Sequence, residues 1–239
     1  MLRVAISSLS PVEELACEEA LLQALDAGER DEFLRIWEFD EPVVVLGRAS
    51  RRESEANVPH CVAHGVPILR RCSGGTAILG GPGCLMYTVG VSLRDRTALR
   101  SVEAAHSFVL DPLAAALAKR LEGVTRQGTC DIAWNDRKFS GNSLRMLKEA
   151  ILYHGTLLYD LSPERIETYL NPDPPRQPEY RRGRRHEDFV ALLPLSREQL
   201  LAAIEEAFPT QGDYGPLPRD WFEKAMAERY SRPEWHERI

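Results

Sequence analysis

The sequence predicts a single α/β domain in which short strands alternate with helices, and three observations carry that expectation. Runs of β-branched and aromatic residues recur along the chain, each too short for a helix. Between them lie stretches whose apolar residues fall at helical spacing. With 44% hydrophobic residues among 239, the chain holds ample apolar material for a core, and nothing marks a second one.

In chain order, a first helix is read over Glu13 to Ala27. It has apolar Leu15, Leu22 and Leu25, acidic residues between them, and Gly28 where a helix C′ residue would stand. Phe33 to Phe39 and Val43 to Leu46 follow as strands, and Asp40-Glu41-Pro42 between them fits a hairpin or a tight strand connection. Pro67 to Leu69 leads as a strand into a loop from Arg70 to Gly83. Leu85 to Leu93 then resumes a strand, with Tyr87, Val89 and Val91 on one side. Val102 to Leu121 reads as a helix on Val109, Leu113, Leu117 and Leu121, kinked or restarted at Pro112 because an interior proline loses a hydrogen bond. Lys138 to Leu144 and Ile151 to Tyr159 form an antiparallel pair around Arg145 to Glu149. Asn171 to Asp188, rich in Pro and Arg, resists regular structure and is expected as a long, mobile loop. Ser196 caps a helix through Phe208, and a last amphipathic helix runs from Arg219 to Tyr230.

Composition excludes several classes of function. A formal charge of −6 argues against broad affinity for nucleic acid or membrane, so any anion site must be local. Cys17, Cys61, Cys72, Cys84 and Cys130 are odd in number and scattered, which suggests reduced thiols and gives no metal site by spacing. The apolar run Met1 to Ile6 is too short for a signal peptide, and no stretch approaches the roughly 20 apolar residues of a membrane span. A cytoplasmic location is expected.

Two blocks carry the chemistry. Arg70-Arg71-Cys72-Ser73-Gly74-Gly75-Thr76-Ala77 joins fixed positive charge to a turn with few side chains, where backbone N–H groups approach a phosphate or carboxylate closely. It is neither a Walker loop nor a dinucleotide fingerprint, since no Gly-Lys-[Ser/Thr] follows and it leads to a strand. The second block, Lys138-Phe139-Ser140-Gly141-Asn142-Ser143 followed by His154-Gly155-Thr156-Leu157-Leu158, sets one lysine among small polar residues. A fixed cation there would stabilise charge that accumulates when a carboxylate attacks the α-phosphate of ATP. Each piece alone has a plainer reading: a solvated surface turn, an edge-strand lysine, a buried core histidine, and cysteines that are small hydrophobes. Cys72, Cys84 and Cys130 are also candidate acyl-thioester nucleophiles.

In combination, the blocks resemble the lipoate-protein ligase and octanoyltransferase family, whose signature is Arg-Arg-x-Ser-Gly-Gly-Gly-Ala, Asn-Asp-Leu, Lys-x-Ser-Gly-x-Ala and His-His-Gly-Thr-Leu-Leu. The likeness extends to Leu15-Ala16-Cys17-Glu18-Glu19-Ala20, to Trp37 with Val43-Val44-Val45-Leu46-Gly47-Arg48, to Cys130-Asp131-Ile132 and to Tyr230-Ser231-Arg232-Pro233-Glu234-Trp235. It implies a biotin/lipoate protein ligase catalytic domain over residues 1–239, with a mixed, largely antiparallel sheet and flanking helices. It also implies ATP and Mg²⁺ as cofactors, lipoate as substrate, and a lysine of a lipoyl domain or glycine-cleavage H protein as acceptor. Lys138 would be catalytic, touching both the acyl carboxyl and the α-phosphate. Arg71, Ser73, Gly74, Gly75, Thr76, Ala77, Ile78, Leu79, Asp131 and Lys138 would hold the nucleotide and adenylate. Trp37, Arg71, Ser140, Gly141, His154, Gly155 and Thr156 would bind the acyl group, with Gly155 giving the chain room.

Departures from the family pattern leave alternatives open. Gly80-Gly81 and Cys84 stand where ligases often carry His-Asp and then Asn, Thr76 replaces a third glycine, and Cys130 precedes Asp131 in place of Asn or Ser. The chain is expected to lack the smaller C-terminal domain of bipartite ligases, so an accessory subunit enters as a partner. The second reading is an octanoyltransferase, or lipoyl amidotransferase, that takes octanoate from acyl carrier protein through a thioester on Cys130. The third is a non-catalytic binder of lipoyl or acyl-carrier domains, against which the retention of Lys138 argues. Arg176 to Arg185 is read either as a segment that closes over nucleotide or docks an acidic carrier, or as a solvated connection.

Overall fold

A computed structural model describes residues 1–6 and 9–238. After β1 (Leu2–Val4), helix α1 (Pro11–Ala27) starts two residues before the sequence expectation because Ser10 and Glu13 form a reciprocal capping box. Strands β2 (Phe33–Trp37) and β3 (Val43–Leu46) do not make a hairpin, since the Asp40-Glu41-Pro42 connection carries the chain from one sheet to another. The short helices α2 (Arg52–Glu55) and α3 (Val58–Ala63) precede β4 (Ile68–Arg70). The loop expected from Arg70 to Gly83 contains a further strand, β5 (Ile78–Gly80), and leads to β6 (Cys84–Ser92).

Helix α4 (Val102–Ala118) runs through Pro112 without restarting. Like β1 and β5, the strands β7 (Val124–Gln127) and β8 (Asp131–Trp134) lie outside the sequence reading; the long hairpin β9 (Arg137–Met146) and β10 (Ala150–Leu158) follows as expected. Next come α5 (Pro163–Tyr169), a 3₁₀ turn at Glu179–Arg181 and α6 (His186–Phe189), so the Pro- and Arg-rich segment carries local structure. The chain closes with α7 (Arg197–Ala207), α8 (Arg219–Ala225) continued by a π-turn at Met226–Tyr230, and α9 (Pro233–Glu237).

A seven-stranded sheet is ordered β1-β2-β6-β10-β9-β8-β7 and a three-stranded one β4-β3-β5. Only β1–β2 and β3–β4 are parallel, so the fold is mixed and largely antiparallel. Side chains alternate across the large sheet. Tyr87, Val89, Val91, Ile151 and Tyr153 pack with α4 and α7, leaving Thr88 and His154 to face α1. That second face carries the polar groups described below. The acids of α1 that the sequence leaves between its leucines are buried: Glu14 pairs with Arg35, Glu18 meets His154 and Thr88, and Glu19 meets Arg229 and Tyr230. Burying a carboxylate is tolerable only with such partners. No described helix is long and apolar enough to cross a membrane.

Candidate active site

The glycine block leaves the end of β4 as a turn whose shape is fixed by Arg71. Its Nε donates to Ser73 Oγ at 3.0 Å, Nη1 to the Val45 carbonyl at 3.1 Å, and Nη2 to the carbonyls of Gly74 at 2.5 Å and Thr76 at 3.0 Å. Burial lowers its pKa to about 10, which still leaves a cation at neutral pH. The guanidinium expected to grip the nucleotide is therefore largely engaged in holding the turn. Gly75 sits at φ +86°, and a Cβ there would lie 2.8 Å from Arg71 Nη2, so both the turn and the arginine require glycine. The far end of the turn is tied by Glu55, whose carboxylate accepts from Ala77 N at 2.6 Å and Ser50 Oγ at 2.9 Å.

Lys138 reaches the site through a β-bulge. Regular alternation along β9 would place it with Ser140 and Asn142, which face Tyr87 and the α4 side. A register shift at Ile132/Ala133 reverses that parity, so Phe139 enters the core while the Lys138 stem passes over Gly141. The Lys138 ammonium lies 2.8 Å from Asp131 Oδ1, and Tyr180 donates its hydroxyl to Asp131 Oδ2 at 2.9 Å. Burial and the Asp131 charge raise the Tyr180 pKa, keeping it a donor.

A buried polar chain backs the other wall. His154 Nδ1 lies 2.9 Å from Glu18 Oε2 and Nε2 lies 2.6 Å from Ser73 Oγ, while Thr88 donates to Glu18 and Trp37 Nε1 donates to Thr88 Oγ1 at 3.3 Å. Burial pushes the Glu18 carboxyl upward, but His154, Thr88 and Arg35 together outweigh it and bring its pKa below the usual range. An ionised Glu18 accepts from Nδ1–H, and Nε2 pairs with Ser73 Oγ on the other side of the ring.

Three of the residues expected to contact the acyl group or nucleotide do not line the cavities around Lys138. Trp37 stands one layer behind the cavity wall, held on Thr88, rather than lining it. Ser73 is fully buried between Arg71 and His154. Ser140 is on the opposite face, bonded to Asn142, because the bulge exchanges the sides on which Lys138 and Ser140 would otherwise both fall. The absent side chain of Gly155 makes room first for Asn142, whose amide a Cβ would strike.

Two cavities meet at Lys138. One, of about 500 Å³, is walled by Leu15, Glu18, Val45, Met86, Arg71 and His154. The other, of about 810 Å³, is walled by Leu79, Leu158, Ile166, Leu170, Phe189 and His186. Thr76, Ile78, Lys138, Gly141 and Thr156 border both, and Ala77 borders the larger. An open cleft above Lys138 is lined by Gly75, Cys130, Asp131 and Asn142, with Arg176 to Pro178 on the far rim. Gly74 is exposed at the tip of the turn. Sequence reasoning missed the apolar walls, Glu55, Tyr180 and His186, which are assembled by tertiary packing. Glu18 had a visible signal, being an acid spaced one helical turn from Glu14 on the leucine-bearing helix.

Cys130 donates its thiol to the Asn142 carbonyl at 3.0 Å, and burial followed by the Asp131 charge raises its pKa. Burial and Arg181 push the His186 imidazole down to about 4.

Solved structures share this architecture. They include a lipoic-acid-bound putative lipoate protein ligase from T. acidophilum (19% identity over 100% of this chain and 99% of that one, TM-score 0.82). An ATP-bound lipoate-protein ligase A matches at 18% identity over 99% and 98%, TM-score 0.79. A bipartite lipoate protein ligase from Thermoplasma acidophilum, studied with its E2 lipoyl domain, matches at 18% over 99% and 95%, TM-score 0.82. At such identities the likeness is one of fold. Residues 10–205 match the lipoyl protein ligase A/B catalytic domain, and the chain belongs to that family.

Proposed function

We propose that the protein is a lipoate-protein ligase that activates lipoate with ATP and passes the lipoyl group to a lysine of a lipoyl domain or H protein. The carrying observation is the meeting of two differently built cavities at one ammonium group, Lys138. The smaller, apolar along Leu15, Val45 and Met86, suits an acyl chain, and Glu18 and His154 at its wall suit polarisable dithiolane sulfurs better than a methyl terminus. The larger offers apolar faces for a purine, with the backbone from Ala77 to Leu79 along one side.

In the first step a lipoate carboxylate oxygen bonds to the α-phosphorus of ATP, the α–β bridging bond breaks, and pyrophosphate leaves. Lys138 offsets the negative charge that grows there. In the second step the acceptor ε-amine attacks the acyl carbonyl, the bond to AMP breaks, and the nitrogen gives up a proton. Asp131, 2.8 Å from the Lys138 ammonium, is placed to take up that proton. Mg²⁺ commonly takes one or two carboxylates together with phosphate oxygens and water, a pattern that Asp131 fits, and it would neutralise phosphate charge when bound.

The thioester route through Cys130 is disfavoured, because its thiol is kept protonated and donates to a backbone carbonyl. The binder reading gives Lys138 and Asp131 no task. The test is to weigh an apo lipoyl domain after incubation with the protein and either lipoate, ATP and Mg²⁺, or preformed lipoyl-AMP, or octanoyl acyl carrier protein. Lipoylation in the first two mixtures is expected; octanoylation in the third alone, abolished by Cys130→Ala, would reverse the assignment.

A further inference from the structure

Two groups of arginines stand near the glycine turn and the Pro- and Arg-rich segment. Those of the Pro- and Arg-rich segment are mostly engaged within the molecule. Arg181 donates to the Pro172 and Arg184 carbonyls at 2.8 Å each, Arg184 to the Tyr180 carbonyl at 2.7 Å, and Arg185 pairs with Glu167.

A second group borders the glycine turn. The Arg48 backbone N–H donates to the Ser73 carbonyl at 2.8 Å, and Arg145 lies two residues from Ser143 on the same strand face, where Ser143 Oγ donates to the Gly74 carbonyl at 2.9 Å. Both side chains are half-exposed. Among the described residues, neither guanidinium donates a hydrogen bond or meets a carboxylate within salt-bridge distance, in contrast to nearby Arg229, which pairs with Glu19. Burial and then Arg48 lower the Arg145 pKa, so the two cations stand close enough to repel. Arg238 adds a third cation, seated 3.9 Å over the Trp235 ring and donating to the Arg48 carbonyl at 2.9 Å. In a chain of net charge −6, unneutralised cations beside the glycine turn, whose Gly75 and Thr76 border the cleft, mark a local anion-seeking surface.

We infer that Arg48 and Arg145 form the docking surface for the acceptor protein, engaging acidic side chains that flank its target lysine while that lysine enters the cleft toward Lys138 and Asp131. This rests on the ligase reading and names the chemistry of its protein substrate: a lysine presented beside carboxylates. Such rim charges act on encounter and affinity more than on the chemical step.

A titration of fluorescently labelled apo lipoyl domain into the protein, at low and at physiological salt, tests it without requiring turnover. Arg48→Gln/Arg145→Gln, with no hydrogen bonds within the protein to lose, and the charge reversal Arg48→Glu/Arg145→Glu are compared with Arg182→Glu, an exposed control in the other group. The expected result is a Kd raised roughly tenfold or more by the Arg48/Arg145 pair, with a flattened salt dependence and little change for Arg182→Glu. With lipoyl-AMP supplied, the acceptor KM should rise in step while kcat stays within about threefold. Unchanged binding in the double variants, no binding by the parent protein, or an equal loss in Arg182→Glu would overturn the inference. Arg48/Arg145-dependent binding without lipoyl transfer would uphold the docking surface and instead sink the ligase reading.

Discussion

The two cavities that meet at Lys138 are built from different materials. The smaller is set on strands and α1, and each polar group there is held by at least one other: Trp37 by Thr88, Thr88 by Glu18, Glu18 by His154, His154 by Ser73 and Ser73 by Arg71. The larger takes half of its wall from the connected segment around α5, the 3₁₀ turn and α6, where apolar side chains meet arginines that hold loop carbonyls. The difference teaches where tolerance lies. Changes on the strand side should cost folding stability as well as binding, whereas changes on the loop side should act mainly on ligand affinity, with His186 as an exception through its buried imidazole.

The largest effect is expected at the junction itself. Lys138→Ala should lower the rate of acceptor lipoylation by about 10³-fold while lipoate affinity falls by only about threefold, measured in single turnover and by calorimetry. A tenfold weaker lipoate site with an unchanged rate would place the lysine in substrate binding and not in charge stabilisation.

Next comes the strand side. Glu18→Ala leaves His154 buried without its carboxylate and should cost about 3–5 kcal/mol of stability in urea unfolding. A cost near zero would mean the polar chain is not what fixes this wall.

A smaller, pH-dependent effect belongs to His186 in the wall of the larger cavity. Its folded pKa is depressed to about 4, so between there and the ordinary histidine range the unfolded chain binds a proton that the folded chain refuses. Stability should therefore fall as pH drops from 7 toward 4, by about 2–3 kcal/mol from this residue. His106 and His236 shift in the same direction, so the readout is the difference between the parent protein and His186→Leu, whose Tm should decline less on acidification. Parallel Tm curves would contradict the assignment.

The smallest change is at the rim. Arg176 is mostly exposed and its contact with Glu55 is long, at 4.0 Å, so Arg176→Ala should leave Tm within experimental scatter and raise the ATP KM by only about two- to fivefold.

Much of the fold was legible because its elements announce themselves locally. The β6 alternation of Tyr87, Val89 and Val91 and the β9–β10 hairpin follow from period-two patterning alone. What was not legible depends on long-range pairing: the change of sheet between β2 and β3, and the short strands β5, β7 and β8, which are defined by their neighbours. For the site, the sequence brought forward the two blocks whose residues border common cavities, Gly75 and Thr76 with Lys138. It could not place Ser140 or Trp37, because a bulge decides the side on which Lys138 falls and the Thr88 hydroxyl decides where Trp37 stops. Nor could it show that Arg71 spends its donors on the turn, since those carbonyls converge only in three dimensions.

A crystal structure of the protein with a non-hydrolysable lipoyl-adenylate analogue tests the central assignment most directly. The dithiolane should lie against Glu18, Met86 and His154, the purine against Leu170 and Phe189, and the acyl carbonyl within hydrogen-bond distance of Lys138 Nζ. A purine seated beside Glu18, or an analogue bound with its carbonyl out of reach of that ammonium, would contradict it.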